Sequence, residues 1–319
     1  MYGDIKLFAG SSTPELAARV AEYLGIPLEQ VDLIEFPNEN LFVRLHRSVR
    51  GQDVYIIQTT SRPVHRNLME LLIMLQTVRL DSAARITAVV PYLCYARSDK
   101  KDQPRVPITA RLVADMIQVA GADRYITFDL HAGQIQGFFS IPGDVLTAFH
   151  LLRDYVRTLI PSLHRPVVVS VDLGFAKKAR NFAEALGLPI AFVEKRRLMD
   201  GSDTEVLSVV GDVEGRDVIL VDDEVDTAGS VTKAYRAVKQ HGARDVYLAF
   251  VHPVFSDPAV ERLRALDLKR IITTDTVPIP AEKRAQLGDR LVVLTIAEML
   301  GEVIRRVHEG RSVGALFNE

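Results

Sequence analysis

The 319-residue chain contains one cysteine, Cys94. That excludes an intrachain disulfide and any cysteine-cluster zinc site, and it fits a reducing compartment. There is no excess charge of either sign. Lys+Arg 39 against Asp+Glu 41 leave a formal −2, so no bulk basic charge advertises a nucleic acid or a membrane surface as partner. Long hydrophobic runs are missing too. Leu71 to Val78, the best candidate, is bounded by Glu70 and Arg79 and falls far short of the ~18 residues of a spanning helix. Asp4 and Lys6 interrupt the first ten residues, so no signal peptide is expected. What remains is an ordinary globular composition, 48% apolar and 25% charged, long enough for two domains. A cytoplasmic protein of enzyme size is expected.

The dominant pattern alternates short apolar strands with amphipathic helices. Strands are expected at Ile5–Ala9, Asp53–Gln58, Ile86–Pro91 and Tyr125–Asp129, with helices near 67–80 and 107–120. The later half repeats this, with strands at Val167–Val171, Ile190–Val193, Asp217–Val221 and Asp245–Val251 and helices near 175–187 and 230–241. Such alternation indicates an α/β protein with mainly parallel sheets covered on both faces. Ser82-Ala83-Ala84-Arg85 leads into one buried strand, and Gly242-Ala243-Arg244-Asp245 leads into another. Convergence on αβ-turn chemistry and duplication both explain that faint repeat. Before the first helix, Ser12 or Thr13 is a candidate cap and Pro14 suits the first turn. Two similar domains are expected, 1–148 and 149–302, with the segment 303–319 packing back on the first. Segments 94–107 and 195–212 lack apolar periodicity and read as loops or hairpins, where function tends to sit.

One such loop has its own chemistry. The run Asp217–Val221 delivers Asp222-Asp223-Glu224-Val225-Asp226-Thr227-Ala228-Gly229-Ser230 to the start of a helix. Ligands of open parallel sheets bind at the carboxyl ends of strands. Small residues, free N–H groups and hydroxyls at a helix N-terminus form a phosphate cradle, where a side chain at Gly229 is expected to block the anion and strain the turn. Adjacent carboxylates are costly unless something cationic or hydroxylated meets them. An acidic turn with a helix cap is the alternative.

That string resembles the phosphoribosyl diphosphate (PRPP) motif of type I phosphoribosyltransferases and PRPP synthetases. Asp129–Phe139, Tyr95–Lys101 and Pro107–Ala110 resemble synthetase signatures. The likeness to the class I ribose-phosphate diphosphokinases extends over essentially the whole chain. It implies two type I phosphoribosyltransferase-like domains, with transfer of the β,γ-diphosphoryl group of ATP to the 1-hydroxyl of ribose 5-phosphate, giving PRPP and AMP.

By that resemblance, Asp222 and Asp223 hold the ribose hydroxyls, and Asp226, Thr227, Ala228, Gly229 and Ser230 cradle the 5-phosphate. Phe36, Asn38 and Asn40 flank the adenine, while Arg97, Lys101 and His131 meet the ATP phosphates. Lys195 and Arg197 stabilise charge on the transferred group, in a loop whose closure would exclude water. Asp172 and Gly174 form the diphosphate loop, and Mg²⁺ is the implied cofactor, with His131 and Asp172 as its side-chain contacts. The adenine site is shared between subunits, which implies a homo-hexamer built from dimers. Ser48, Arg50, Arg105, Gln136, Asp144 and Ser312 map to an allosteric anion site at which phosphate activates and ADP inhibits. Gly314 there lacks a usual hydroxyl, so weaker phosphate binding is expected.

The chain departs from the family pattern in places. Asn38 and Asn40 replace carboxylates, which alters the hydrogen-bond pattern offered to a base. Leu173 and Phe175 depart from the usual Asp-His-Gly-Gly string, and Glu224 replaces an apolar residue. A catalytically weak regulatory homologue is therefore one alternative. A phosphoribosyltransferase is another, opposed by the two-domain length and the Asp129–Phe139 run.

Overall fold

The computed structural model describes residues 2–197 and 205–316; the side chains of residues 195–197, 205–207 and 315 lie outside that description. The expected closing loop falls largely on 198–204, outside the described residues. The chain divides into two units. One comprises residues up to 147, 276–278 and 295 onward, and the other 148–275 and 279–294.

The first unit begins with β1 (Ile5–Ala9), α1 (Pro14–Leu24), β2 (Val31–Glu35), β3 (Leu41–Leu45) and β4 (Asp53–Ile57). It continues through α2 (Val64–Leu80), β5 (Arg85–Val90), α3 (Thr109–Val119), β6 (Arg124–Phe128) and β7 (Gly143–Leu146). Its sheet has the order β1-β4-β5-β6-β7, parallel throughout. Strands β4 and β5 are buried along their whole length, as apolar runs covered on both faces require. Strands β2 and β3 form a separate antiparallel hairpin.

The second unit contains α4 (Phe149–Leu159), β8 (Val167–Ser170), α5 (Ala176–Leu186), β9 (Ile190–Arg197), β10 (Glu205–Val210), β11 (Val218–Glu224) and α6 (Gly229–Gln240). Then come β12 (Val246–His252), α7 (Ala259–Arg264), β13 (Leu268–Thr274), α8 (Ala281–Leu287) and β14 (Leu291–Leu294). Its sheet order is β10-β9-β8-β11-β12-β13-β14. The part β8-β11-β12-β13-β14 repeats the connectivity of the first sheet, and β5 and β12, the two strands of the faint repeat, both stand third. Shared topology and shared turn sequence together favour duplication over convergence.

The last helix, α9 (Ala297–Glu309), belongs to the first unit. It buries Leu300, Gly301, Val303, Ile304 and Val307, and Tyr23 of α1 lies so close to Gly301 that a Cβ there would meet its ring at 2.4 Å.

Three local expectations need correction. Thr13 is the N-cap residue of α1, but its side chain makes no capping hydrogen bond. The Ser12 hydroxyl donates to Gln58 Oε1 at 2.5 Å and that of Thr13 to the Ile57 carbonyl at 3.4 Å, so both are drawn to the end of β4. Strand β9 runs on through Arg197 because β10 pairs antiparallel with its far half. Strand β11 reaches Glu224, so Asp222 and Asp223 sit on the strand itself.

Candidate active site

In the second unit, the carboxyl ends of β9, β8 and β11 lie side by side, since β8 pairs in parallel with both neighbours. Those ends deliver the segments carrying Lys195 and Arg197, Asp172 and Gly174, and Asp222 to Ser230. The sheet thereby brings together backbone positions far apart in sequence. The side chains of Lys195 and Arg197 are outside the described part.

The carboxylates are packed tightly. Asp222, Asp223 and Glu224 are all buried. The Asp223 amide donates to Asp222 Oδ1 at 3.0 Å, and the Glu224 amide to Asp223 Oδ1 at 2.8 Å. Burial pushes the Asp222 pKa well up, and the charges of Asp223 and Asp172 push it further. Asp222 thus holds its proton to higher pH in the folded protein than an ordinary carboxylate does. Its contribution to stability is present below the ordinary carboxylate range and is lost as pH rises through the raised pKa. The Asp222→Asn protein is therefore expected to melt above wild type at pH 7 without ligand, with the gap closing as pH falls toward 4. Scanning calorimetry at the two pH values checks this; equal melting at pH 7 would contradict it.

The cradle follows. Ala228, at the N-cap of α6, has φ 57° and ψ 19°, a left-handed conformation that costs a non-glycine residue about 1 kcal/mol or more. The strain expected at Gly229 belongs instead to Ala228. Gly229 has an ordinary φ, and a Cβ on it would have only Arg262 Nη1 at 3.5 Å and Thr227 Oγ1 at 3.7 Å as neighbours. A Cβ there would therefore fit the bare turn, and a valine is expected to act by occupying the anion's place.

At the β8 end, the Phe175 amide donates to Asp172 Oδ1 at 2.9 Å and the Ser170 hydroxyl to the Asp172 carbonyl at 2.7 Å. Phe175 does not crowd this loop. Its ring is buried, 5.4 Å from that of Phe149 on α4, so the bulk that the sequence places here is spent on packing α4 against α5. Leu173 is exposed.

In the first unit, Arg97 and Lys101 lie in the loop after β5, and His131 lies in the loop after β6. All three are exposed, at the carboxyl ends of adjacent strands. Gln134 donates to buried Asp99, tying the two loops together; neither residue was singled out by its type. The β2–β3 hairpin presents Phe36, 45% exposed, at its tip. Its turn is closed by the Asn40 amide donating to Asn38 Oδ1 at 3.2 Å and by the Phe36 amide donating to the Asn40 carbonyl at 2.9 Å. Asn38 thus shapes the turn. Beside it lies a cavity of about 830 Å³, bordered by Glu39, Asn40, Arg62, His65, Arg66 and Met69. Of the three hairpin residues assigned to a base, Asn40 alone borders it.

The first unit's counterpart of the cradle is closed by its own side chains. After β4, buried Gln58 accepts from the Ser12 amide at 3.0 Å and donates to buried Glu70 at 2.9 Å. Gly10 is required there, because a Cβ would lie 2.2 Å from Gln58 Oε1. The anion-site residues are split within one chain. Ser48 and Arg50 precede β4, with the Ser48 hydroxyl donating to Asp81 at 2.9 Å. Asp144 sits in β7 and pairs with Arg124 at 2.8 Å. The Ser312 carbonyl, just after α9, accepts from Arg306 at 3.1 Å. Arg105 lies in the loop after β5 and Gln136 in a short 3-10 helix after β6, both at the opposite, carboxyl end of the sheet.

No group of three or more His, Cys, Asp and Glu among the described residues is arranged to hold a metal alone. His131 and Asp172 belong to different units. No helix among them is long and apolar enough to cross a membrane.

Comparison with known proteins is concordant. The family described as the N-terminal domain of ribose phosphate pyrophosphokinase matches residues 5–121, and the phosphoribosyl synthetase-associated domain matches residues 198–318. A protein of Wolinella succinogenes named ribose-phosphate pyrophosphokinase is 46% identical over 312 residues, covering 98% of both chains. One of the same name from Aquifex aeolicus is 45% identical, covering 98% of this chain and 99% of its own. The crystal structure of phosphoribosylpyrophosphate synthetase from Mycobacterium smegmatis superposes with a TM-score of 0.91 at 42% identity, covering 96% of this chain and 99% of that one.

Proposed function

The chain belongs to the ribose-phosphate pyrophosphokinase family, and on that premise we propose how its own residues carry the family's reaction. It is an enzyme that joins ribose 5-phosphate to the diphosphoryl group of ATP. The observation that carries the residue assignment is the β11 end, where buried paired carboxylates run directly into a left-handed N-cap.

Ribose 5-phosphate binds with its hydroxyls on Asp222 and Asp223 and its phosphate on the N–H groups from Asp226 to Ser230, where orphan donors and the α6 dipole favour an anion. The 1-hydroxyl oxygen attacks the β-phosphorus of ATP. The bond from that phosphorus to the α,β-bridging oxygen breaks, AMP leaves with the electron pair, and the hydroxyl proton is released. Arg97, Lys101 and His131 hold the triphosphate, and Lys195 and Arg197 offset charge on the group in flight. Chemistry of this type asks for positioning and electrostatic stabilisation.

The hard carboxylate oxygens clustered at the β11 and β8 ends fit Mg²⁺. Asp172 in the second unit and His131 in the first are each residues that would contact Mg²⁺, which when bound would offset charge on the diphosphoryl group. The split anion-site residues fit an effector site completed by a second copy of the chain, in a hexamer built from dimers, where phosphate and ADP bind. The cytoplasm is the proposed compartment.

Removing one ribose contact should show in one substrate only. In Asp223→Ala, ribose 5-phosphate affinity is expected to fall by roughly 10-fold or more, the cost of a charged hydrogen bond, with ATP affinity unchanged. Titration calorimetry of each substrate, with AMP and PRPP as products of the full assay, checks it. Unchanged ribose 5-phosphate affinity would remove the assignment of the β11 end.

A further inference from the structure

We propose that Arg262, on α7, is a positioning residue that holds the phosphate cradle in its binding conformation for a sugar-phosphate monoester. The proposal rests on the β11–α6 reading above and extends it to a residue 35 positions beyond Thr227 in sequence.

The argument begins with one peptide unit. Arg262 Nη1 donates to the carbonyl oxygen of Thr227 at 2.9 Å. In a trans peptide the C=O and the next N–H point in opposite directions. Fixing the Thr227 carbonyl on Arg262 therefore turns the Ala228 N–H to the other side, where the cradle takes its phosphate. That orientation requires the left-handed backbone found at Ala228, φ 57°, which an alanine does not adopt unaided. A peptide flip would relieve Ala228 and take its N–H out of the cradle. The guanidinium opposes the flip, since flipping would break its bond.

The surroundings suit this role. The same Nη1 lies 3.5 Å from where a Cβ on Gly229 would stand, so a cation rests against the first residue of α6, and Gly229 leaves it room. Arg262 is anchored from below. Its amide donates to the Pro258 carbonyl at 3.1 Å, and its neighbour Leu263 is fully buried in the core of the second unit. Its head is exposed, free to bond a carbonyl without being buried unpaired. Ala228 itself is buried, and its carbonyl accepts from the Thr232 amide at 3.0 Å and hydroxyl at 2.7 Å. The far side of Ala228 is thus fixed by α6, and the near side by Arg262.

The test is a double-mutant cycle in the full-length enzyme, read by calorimetric titration with ribose 5-phosphate and by steady-state kinetics. Arg262→Ala is expected to weaken ribose 5-phosphate binding by about 10-fold, the loss of a charged hydrogen bond, with the KM for ATP within about twofold of wild type. Arg262→Lys keeps one N–H for the same carbonyl and is expected to recover most of the loss. Glycine takes the left-handed conformation without help, so in an Ala228→Gly background the Arg262→Ala loss should shrink to roughly threefold or less. Wild-type binding in Arg262→Ala, alongside weakened binding in Asp223→Ala, would overturn the role of Arg262 and leave the site reading standing. An equal loss in both backgrounds would mean that Arg262 acts by charge alone, which also overturns the proposal. If neither Arg262→Ala nor Asp223→Ala changes ribose 5-phosphate binding, the site reading itself fails.

Discussion

Lys195→Ala and Arg197→Ala should each lower kcat by about 10²–10³-fold with smaller changes in KM, equivalent to roughly 3–4 kcal/mol of transition-state stabilisation. Two features carry this beyond resemblance. Lys195 and Arg197 lie two residues apart on β9, in register with Leu207 and Glu205 of β10. β9 also pairs with β8, so its carboxyl end emerges beside the strand that delivers Asp172. A cation there is needed most when negative charge on the moving diphosphoryl group is greatest, so its removal should cost rate more than binding. Arg196, between them in sequence, serves as the control. Its alanine variant is expected within a few-fold of wild type. Steady-state kinetics of the three variants decide it. A loss confined to KM would mean that the two residues bind substrate uniformly, and an equal loss at Arg196 would mean that the segment acts through its total charge.

How far this site could be read from the sequence depended on how local each signal was. The β11–α6 segment was legible because its parts are contiguous, with a strand of five apolar or acidic residues, two carboxylates and a run of small residues at a helix start. The central strands β4, β5, β11 and β12 were legible because burial on both faces demands runs rich in apolar residues. The edge strands β7 and β14 were not. Each has four residues, and an edge needs apolar cover on fewer sides. The left-handed residue of the cradle was misplaced because glycine is the usual occupant of such a conformation, whereas here alanine holds it with a partner 34 residues on. Arg262 had no signal as one of two arginines on a six-residue helix. Phe175 gave a misleading one, because its type suggested obstruction and only packing shows that the ring turns toward Phe149. The same limit hid a buried ionic cluster whose partners lie 32 and 255 positions apart.

That cluster sets the second large effect, on stability. Asp53 opens β4 and is fully buried. It accepts from Arg85 Nε at 2.8 Å and Nη2 at 2.5 Å, and from the Tyr55 hydroxyl at 3.1 Å. Its Oδ2 also lies 2.7 Å from His308 Nδ1 at the end of α9. Arg85 opens β5, in register with Asp53, and donates onward to the Val307 carbonyl at 3.1 Å. One carboxylate therefore ties two neighbouring strands to the last helix of the first unit. Removing it leaves the largely buried Arg85 guanidinium without its counter-charge, a change that costs about 3–5 kcal/mol. Asp53→Ala should thus lower the urea midpoint of the full-length enzyme and raise amide exchange in α9, whose docking loses the His308 link. Replacing both ions together, Asp53→Leu with Arg85→Met, removes the unpaired charge along with its partner and should recover most of the loss. If the double variant is as unstable as Asp53→Ala, the cluster stabilises through its hydrogen-bonded geometry, which an apolar pair cannot reproduce. If Asp53→Ala lowers the unfolding free energy by less than about 1 kcal/mol, far below the cost of an unpaired buried charge, α9 is held by its apolar face alone.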